Sequence, residues 1–187
     1  MNSFDDRKNI HDNEAFPKIE KIFNDKGYFI TNFGTEADNI TLREKLKQLT
    51  DKNSIRLRFR PDKIIIGTSS TNFCEIKSSK NNSEFFNIEA CSLWASKSWN
   101  AFIIFVDLIN NNMKYCWAKN IVFQNIMLPK RFDIEKSITL MQSLWPNIRC
   151  TQIEFKGYGS GTPYIQIHKN ASFLKEFNNS IKIERII

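Results

Sequence analysis

The sequence predicts a mixed α/β (α+β) fold, and three observations carry that prediction. Near the N-terminus Phe16, Ile19, Ile22 and Phe23 recur at the spacing of one face of an amphipathic helix. Further on, short runs of β-branched and aromatic residues are separated by turn-forming residues, as in strands. The chain has 187 residues, 41% of them hydrophobic and 13% aromatic, which is enough for one domain (residues 1–187) to bury a core without disulfides.

Taken in order, the first helix is expected over 13–26, with Gly27 as its stop. A second is expected over 41–49, where Thr41 and Glu44 form a capping box and Leu42, Leu46 and Leu49 share a face. From Ser54 to Arg60 the period changes to two: Ile55, Leu57 and Phe59 alternate with Arg56, Arg58 and Arg60, as in a strand whose wet face is basic. Strands 63–67 and 72–78 follow, joined by a Gly-Thr-Ser-Ser-Thr turn. Ser83 then caps a helix reaching Trp99, with Phe86, Ala90, Leu93 and Trp94 on one side. The run AFIIFVDL at 101–108 is apolar enough for a central strand, and MKYCWAK at 113–119 is the next. A helix at 133–144, strands at 151–155 and 164–167, and a short helix from Ala171 complete the chain. No linker, repeat or low-complexity stretch divides it.

The formal net charge is +7, unevenly distributed: residues 1–62 hold 12 basic and 11 acidic side chains, residues 63–187 hold 15 and 9. A basic surface concentrates polyanions, so nucleic acid is the expected partner class. No stretch approaches the ~20 apolar residues of a membrane helix, and MNSFDDRKN is acidic where a secretory signal would be basic, so a cytoplasmic protein without membrane contact is expected. Cys74, Cys91, Cys116 and Cys150 are widely separated, which predicts buried free thiols rather than a zinc site. His11, in a polar segment, is expected to be exposed.

The stretch PDKIIIGTSSTNFCEIK, residues 61–77, carries the chemistry. Side chains two apart on a strand project from the same face, so Glu75 and Lys77 point together while Cys74 and Ile76 face the core. If Asp62 begins the neighbouring strand of a hairpin, its carboxylate lies within a few ångströms of Glu75. Two hard oxygen ligands at that distance suit Mg²⁺ or Mn²⁺, with Lys77 at the edge.

Pro61-Asp62, twelve intervening residues and Glu75-Ile76-Lys77 resemble the PD-(D/E)xK signature of restriction-endonuclease-like nucleases. The resemblance covers about residues 36–118, and 119–187 would be a C-terminal extension. It implies an αβββαβ core with a central mixed sheet flanked by helices, and hydrolysis of DNA phosphodiesters. Carried over, Asp62 and Glu75 bind metal and Lys77 contacts the attacking water and scissile phosphate. The family often adds an acid from its first helix, for which Glu36 is favoured over Glu44, and a polar residue on the crossover helix, for which Glu89 or Lys97 could serve. Arg58 and Arg60, taken to share the face of Asp62, are the expected phosphate contacts, with Lys97, Lys156, Tyr158, His168 and Lys169 as further nucleic-acid contacts. RNA is the alternative substrate, a homodimer would serve two-strand cutting, and a non-catalytic DNA-binding or assembly module is the alternative function.

Overall fold

The computed structural model describes residues 9–33, 40–129, 134–153 and 162–183. It is a mixed α+β structure with two mixed sheets and several helices.

The first helix, α1 (Phe16–Asn24), is extended at its N-terminus by a π-helical turn, His11–Ala15. Ile19, Ile22 and Phe23 form its buried stripe. It stops where expected: Gly27 takes φ +77°, its N–H donates to the Asn24 carbonyl, and the Tyr28 N–H donates to Phe23, the paired bonds of a Schellman cap. Strand β1 (Phe29–Asn32), which the sequence pattern did not reveal, follows at once.

Helix α2 (Ile40–Lys47) agrees with expectation in position but not in its apolar face: Leu46 is buried, while Leu42 and Leu49 are exposed. The expected strand at 54–60 is instead helix α3 (Lys52–Arg58). Asp51 caps it by accepting the Ser54 N–H at 3.0 Å. Ile55 and Phe59, four apart, fit either period; Leu57, which only a strand would bury, is exposed. Arg58 and Arg60 therefore do not share a strand face with Asp62.

Strands β2 (Lys63–Ile66) and β3 (Thr71–Ser79) form the expected hairpin. The helix expected from Ser83 begins late, because Phe86 and Ile88 are buried on either side of exposed Asn87 in a strand, β4 (Phe85–Glu89). Helix α4 (Ala90–Ser98) follows directly, then β5 (Phe102–Asp107) and β6 (Asn112–Trp117). The chain continues through β7 (Asn125–Pro129), α5 (Ile134–Leu144), β8 (Arg149–Ile153) and β9 (Tyr164–His168). In place of a helix from Ala171 there are turns and a two-residue strand, β10 (Lys175–Glu176), which carries Phe177 into the core and its N–H onto the Met113 carbonyl.

The larger sheet has the order β1-β2-β3-β5-β6-β10. Its neighbours are antiparallel except β3 and β5, which run parallel and are joined through β4 and α4. The smaller sheet has the order β4-β9-β7-β8, with β7 and β8 parallel. One face of the larger sheet packs Cys74, Ile76, Phe102 and Ile104 against Ile19 and Phe23 of α1. The other packs Ile103, Phe105 and Cys116 against Leu93 of α4 and Phe86, Ile88 and Ile165 of the smaller sheet. Every residue of β5 is buried, as its unbroken apolar run predicts. All four cysteines are free, and three are buried. Among the described residues no helix is long and apolar enough to cross a membrane.

Phe105 joins the two sheets by stacking on Phe86 at 4.9 Å. Phe105→Ala should lower unfolding free energy by about 3–5 kcal/mol in urea titration, whereas Phe29→Ser, at a side chain 60% exposed, should change it by less than about 1 kcal/mol. Equal effects would contradict this account of the core.

Candidate functional site

The β2–β3 hairpin builds the site through its register. Lys63 pairs with Cys74, so one step further Asp62 lies opposite Glu75. Two hydrogen bonds lock this arrangement: the Asp62 N–H donates to Glu75 Oε2 at 3.1 Å, and the Ile76 N–H donates to Asp62 Oδ2 at 3.1 Å. Each carboxylate thus holds the other residue's strand. Cys74 and Ile76 face α1, so Glu75 and Lys77 face the other way, as period two requires.

Glu75 is only 3% exposed. Its Oε1 accepts from Ser92 Oγ of α4 at 2.6 Å and lies 2.5 Å from Lys77 Nζ. Burial, and then the nearby Asp62 carboxylate, push its pKa up to about 7, against the opposing pull of Lys77 and Ser92. For Lys77, burial alone would lower the pKa, but the Glu75 and Asp62 carboxylates outweigh it and hold the ammonium above the ordinary lysine value. The site therefore joins a fixed positive charge to two crowded carboxylates.

His11 is half-buried rather than exposed, and burial lowers its pKa. The opposing influences of Asp62 and Lys77 on its imidazole place it within electrostatic reach of both. It reaches them from the π-helical turn, which packs against β3. Such turns frequently occur at functional sites, but nothing in HDNEA distinguishes one from an ordinary helical turn. Lys63, on the α1 face, donates to Asn32 Oδ1 at 2.5 Å and lies 3.6 Å from the Phe16 ring centroid.

The other expected site residues scatter. Glu36, Lys156 and Tyr158 lie outside the described residues. Glu44 sits on exposed α2 with Lys47 at 2.6 Å. Glu89 ends β4, accepts from Thr162 Oγ1 at 3.0 Å, and adds to the negative field on Lys77. Lys97 donates to the Ile121 carbonyl at 3.1 Å and packs over the Trp145 ring, with burial lowering its pKa. That ammonium is engaged within the fold rather than at the carboxylate pair. Arg58 lies over Phe59 and Arg60 over Phe33. His168 and Lys169 line a separate polar cavity of about 330 Å³ with Asp107 and Lys114. There Lys169 Nζ meets buried Asp107 at 2.5 Å, and His168 Nδ1 accepts the Asn170 N–H.

Of the expected metal ligands, Asp62 and Glu75 are the two that face each other and could share a divalent cation. Among the described residues no group of three or more His, Cys, Asp or Glu side chains is arranged to enclose one. Mg²⁺ needs only one or two carboxylates when phosphate and water complete its shell, and burial, with the Asp62 carboxylate second, is what raises the Glu75 pKa. The chain matches no known family model, and no curated protein is significantly similar to it.

The folded-state pKa of Glu75 lies above its ordinary value of 4.5, so the fold loses stability as pH rises from about 4.5 through about 7. Glu75→Gln removes that loss. Thermal melts should show the variant gaining on wild type across this window, by on the order of 2 kcal/mol at pH 8. A constant difference between pH 4 and 8 would refute the burial of an ionisable carboxyl here.

Proposed function

We propose that this chain is a metal-dependent endonuclease that hydrolyses DNA phosphodiester bonds with the residue arrangement of PD-(D/E)xK nucleases. One observation carries the proposal: Asp62 and Glu75 occupy facing positions on adjacent strands, locked by reciprocal hydrogen bonds, with Lys77 against Glu75. With α2 and α3, which lie between β1 and β2, and β4, which lies between β3 and α4, set aside as insertions, the order α1, β1, β2, β3, α4, β5 follows an αβββαβ sequence with α4 in the crossover between parallel strands, which supports the proposal. The core then begins at α1 rather than near residue 36, with β1 replacing the strand expected at 54–60.

Mg²⁺ or Mn²⁺ held by Asp62 and Glu75 would neutralise charge on the scissile phosphate and acidify a water molecule. The chain's own groups perform the remaining tasks. Lys77 stays protonated, so it serves as a hydrogen-bond donor and fixed charge beside the phosphate and attacking water, not as a proton acceptor. Ser92 is a positioning residue that orients Glu75 from the first turn of α4. Pro61, buried before Asp62, restricts the entry to β2.

Three contacts to Glu75 favour a second reading, a DNA-binding or assembly module without catalysis. Glu75 is already bound by Lys77, Ser92 and the Asp62 N–H, as in a structural ion pair.

Purified protein should nick or cut DNA only with Mg²⁺ or Mn²⁺. Asp62→Ala and Lys77→Ala should each reduce cutting by at least about 100-fold, with DNA affinity held within a few-fold. Calorimetry should find one or two metal sites in wild type that Asp62→Ala removes. Salt-dependent DNA binding without a stoichiometric metal site would favour the second reading, and cutting in chelator would reject the mechanism.

A further inference from the structure

The face of the larger sheet that carries Asp62 and Glu75 continues along the hairpin as a row-by-row apolar surface. Register and period two put Phe33, Asp62 and Glu75 in one row across β1, β2 and β3, with the Phe33 N–H donating to the Asp62 carbonyl at 2.8 Å. The next row is Thr31, Ile64 and Phe73, and the last is Phe29, Ile66 and Thr71. Phe29 is 60% exposed and Ile66 40%, although they face each other across paired strands. Phe33, Phe73 and Trp99 pack as a trio with ring centroids 4.9, 5.5 and 5.1 Å apart, and each remains half-exposed. Arg56 lies over Trp99 at 4.5 Å and Arg60 over Phe33 at 5.0 Å. Apart from the carboxylate pair, no residue of these rows is charged.

We propose that this surface is a stacking platform for unpaired bases of the nucleic-acid strand whose phosphate reaches Asp62, Glu75 and Lys77. The inference rests on the nuclease reading and adds its substrate class: strands that are single, or locally unpaired, beside the cleaved bond. Two features favour this occupant over an apolar protein surface, and a third favours a single strand over a duplex. Aromatic faces beside guanidinium groups meet the two needs of a single strand, base stacking and phosphate neutralisation. The platform abuts the carboxylates without an intervening element, Phe73 lying two residues from Glu75, or about 7 Å along the strand. A duplex keeps its bases stacked on one another and has no face to offer these rings.

Fluorescence binding tests this on the full-length wild-type chain, in chelator so that nothing is cut, at about 0.15 M salt where non-specific charge attraction is damped. The probes are a 12-nucleotide DNA strand, its RNA counterpart and the duplex, each with 2-aminopurine placed at successive positions. A single strand should bind at least about tenfold more tightly than the duplex, with quenching confined to one or two adjacent positions. An abasic nucleotide there should cost about tenfold in affinity. The better-bound strand names the sugar. Phe33→Leu and Trp99→Leu should reproduce the abasic loss, and Arg56→Ala, at an exposed side chain, should weaken binding without altering the fold. Duplex binding as tight as single-strand binding, absent quenching, or self-association abolished by Phe29→Ser would each overturn the proposal. The two readings fail separately. Position-specific quenching without metal-dependent cutting would leave the platform standing and reject the nuclease, whereas cutting of duplex unaffected by Phe33→Leu and Trp99→Leu would do the reverse.

Discussion

Glu75 is a carboxylate placed where a sheet would normally bury a hydrocarbon. Its neighbours on the same face, Ile103 and Cys116, are apolar, and α4 closes over it. An isolated charge in that position would be strongly unfavourable, so the surroundings must supply hydrogen bonds and opposite charge. They do so from three separate segments: the Asp62 N–H from β2, the Lys77 ammonium from β3 and the Ser92 hydroxyl from α4. Even so, its pKa remains raised. A carboxyl held at such a cost occurs at functional sites and in buried ion-pair networks alike.

Net charge proves a poor guide to where a polyanion would lie. Several basic residues are engaged internally: Lys63 with Asn32, Lys97 with the Ile121 carbonyl, Lys114 with the Lys169 carbonyl, and Lys169 with Asp107. Each places its ammonium on an oxygen of the fold rather than in open solvent. Three arginines cluster nearer the carboxylate pair. Arg56, Arg58 and Arg60 all lie on aromatic rings, and two of those rings belong to the surface that adjoins the carboxylate pair.

What could be read in advance follows physical lines. The hairpin, the fully buried β5 and the Gly27 stop were legible because each depends on neighbouring residues alone: alternation, an unbroken apolar run, a backbone site needing positive φ. The facing of Glu75 and Lys77 follows from the same alternation. The strand expected at 54–60 failed because Ile55 and Phe59, four apart, satisfy both periods; the Asp51 cap decides for helix. Phe86 and Ile88 were misassigned because the chain changes from strand to helix between Glu89 and Ala90 without glycine or proline. His11 was missed because its placement depends on a π-helical turn and on long-range packing against β3, which composition does not reveal.

The connection between β3 and β5 has a consequence for the order in which the chain acquires its site. Strand β5, which flanks Glu75 on the side away from β2, and Ser92 both come after it in sequence. The start of α4 is in turn tied to residues near 163, through the Ala90 N–H on the Pro163 carbonyl and the pairing of β4 with β9. During synthesis the hairpin can emerge and close while its carboxylates are still in water. Ser92 and β5 enclose Glu75 only after the hairpin has formed, and β9, which pairs with the strand leading into α4, is made later still.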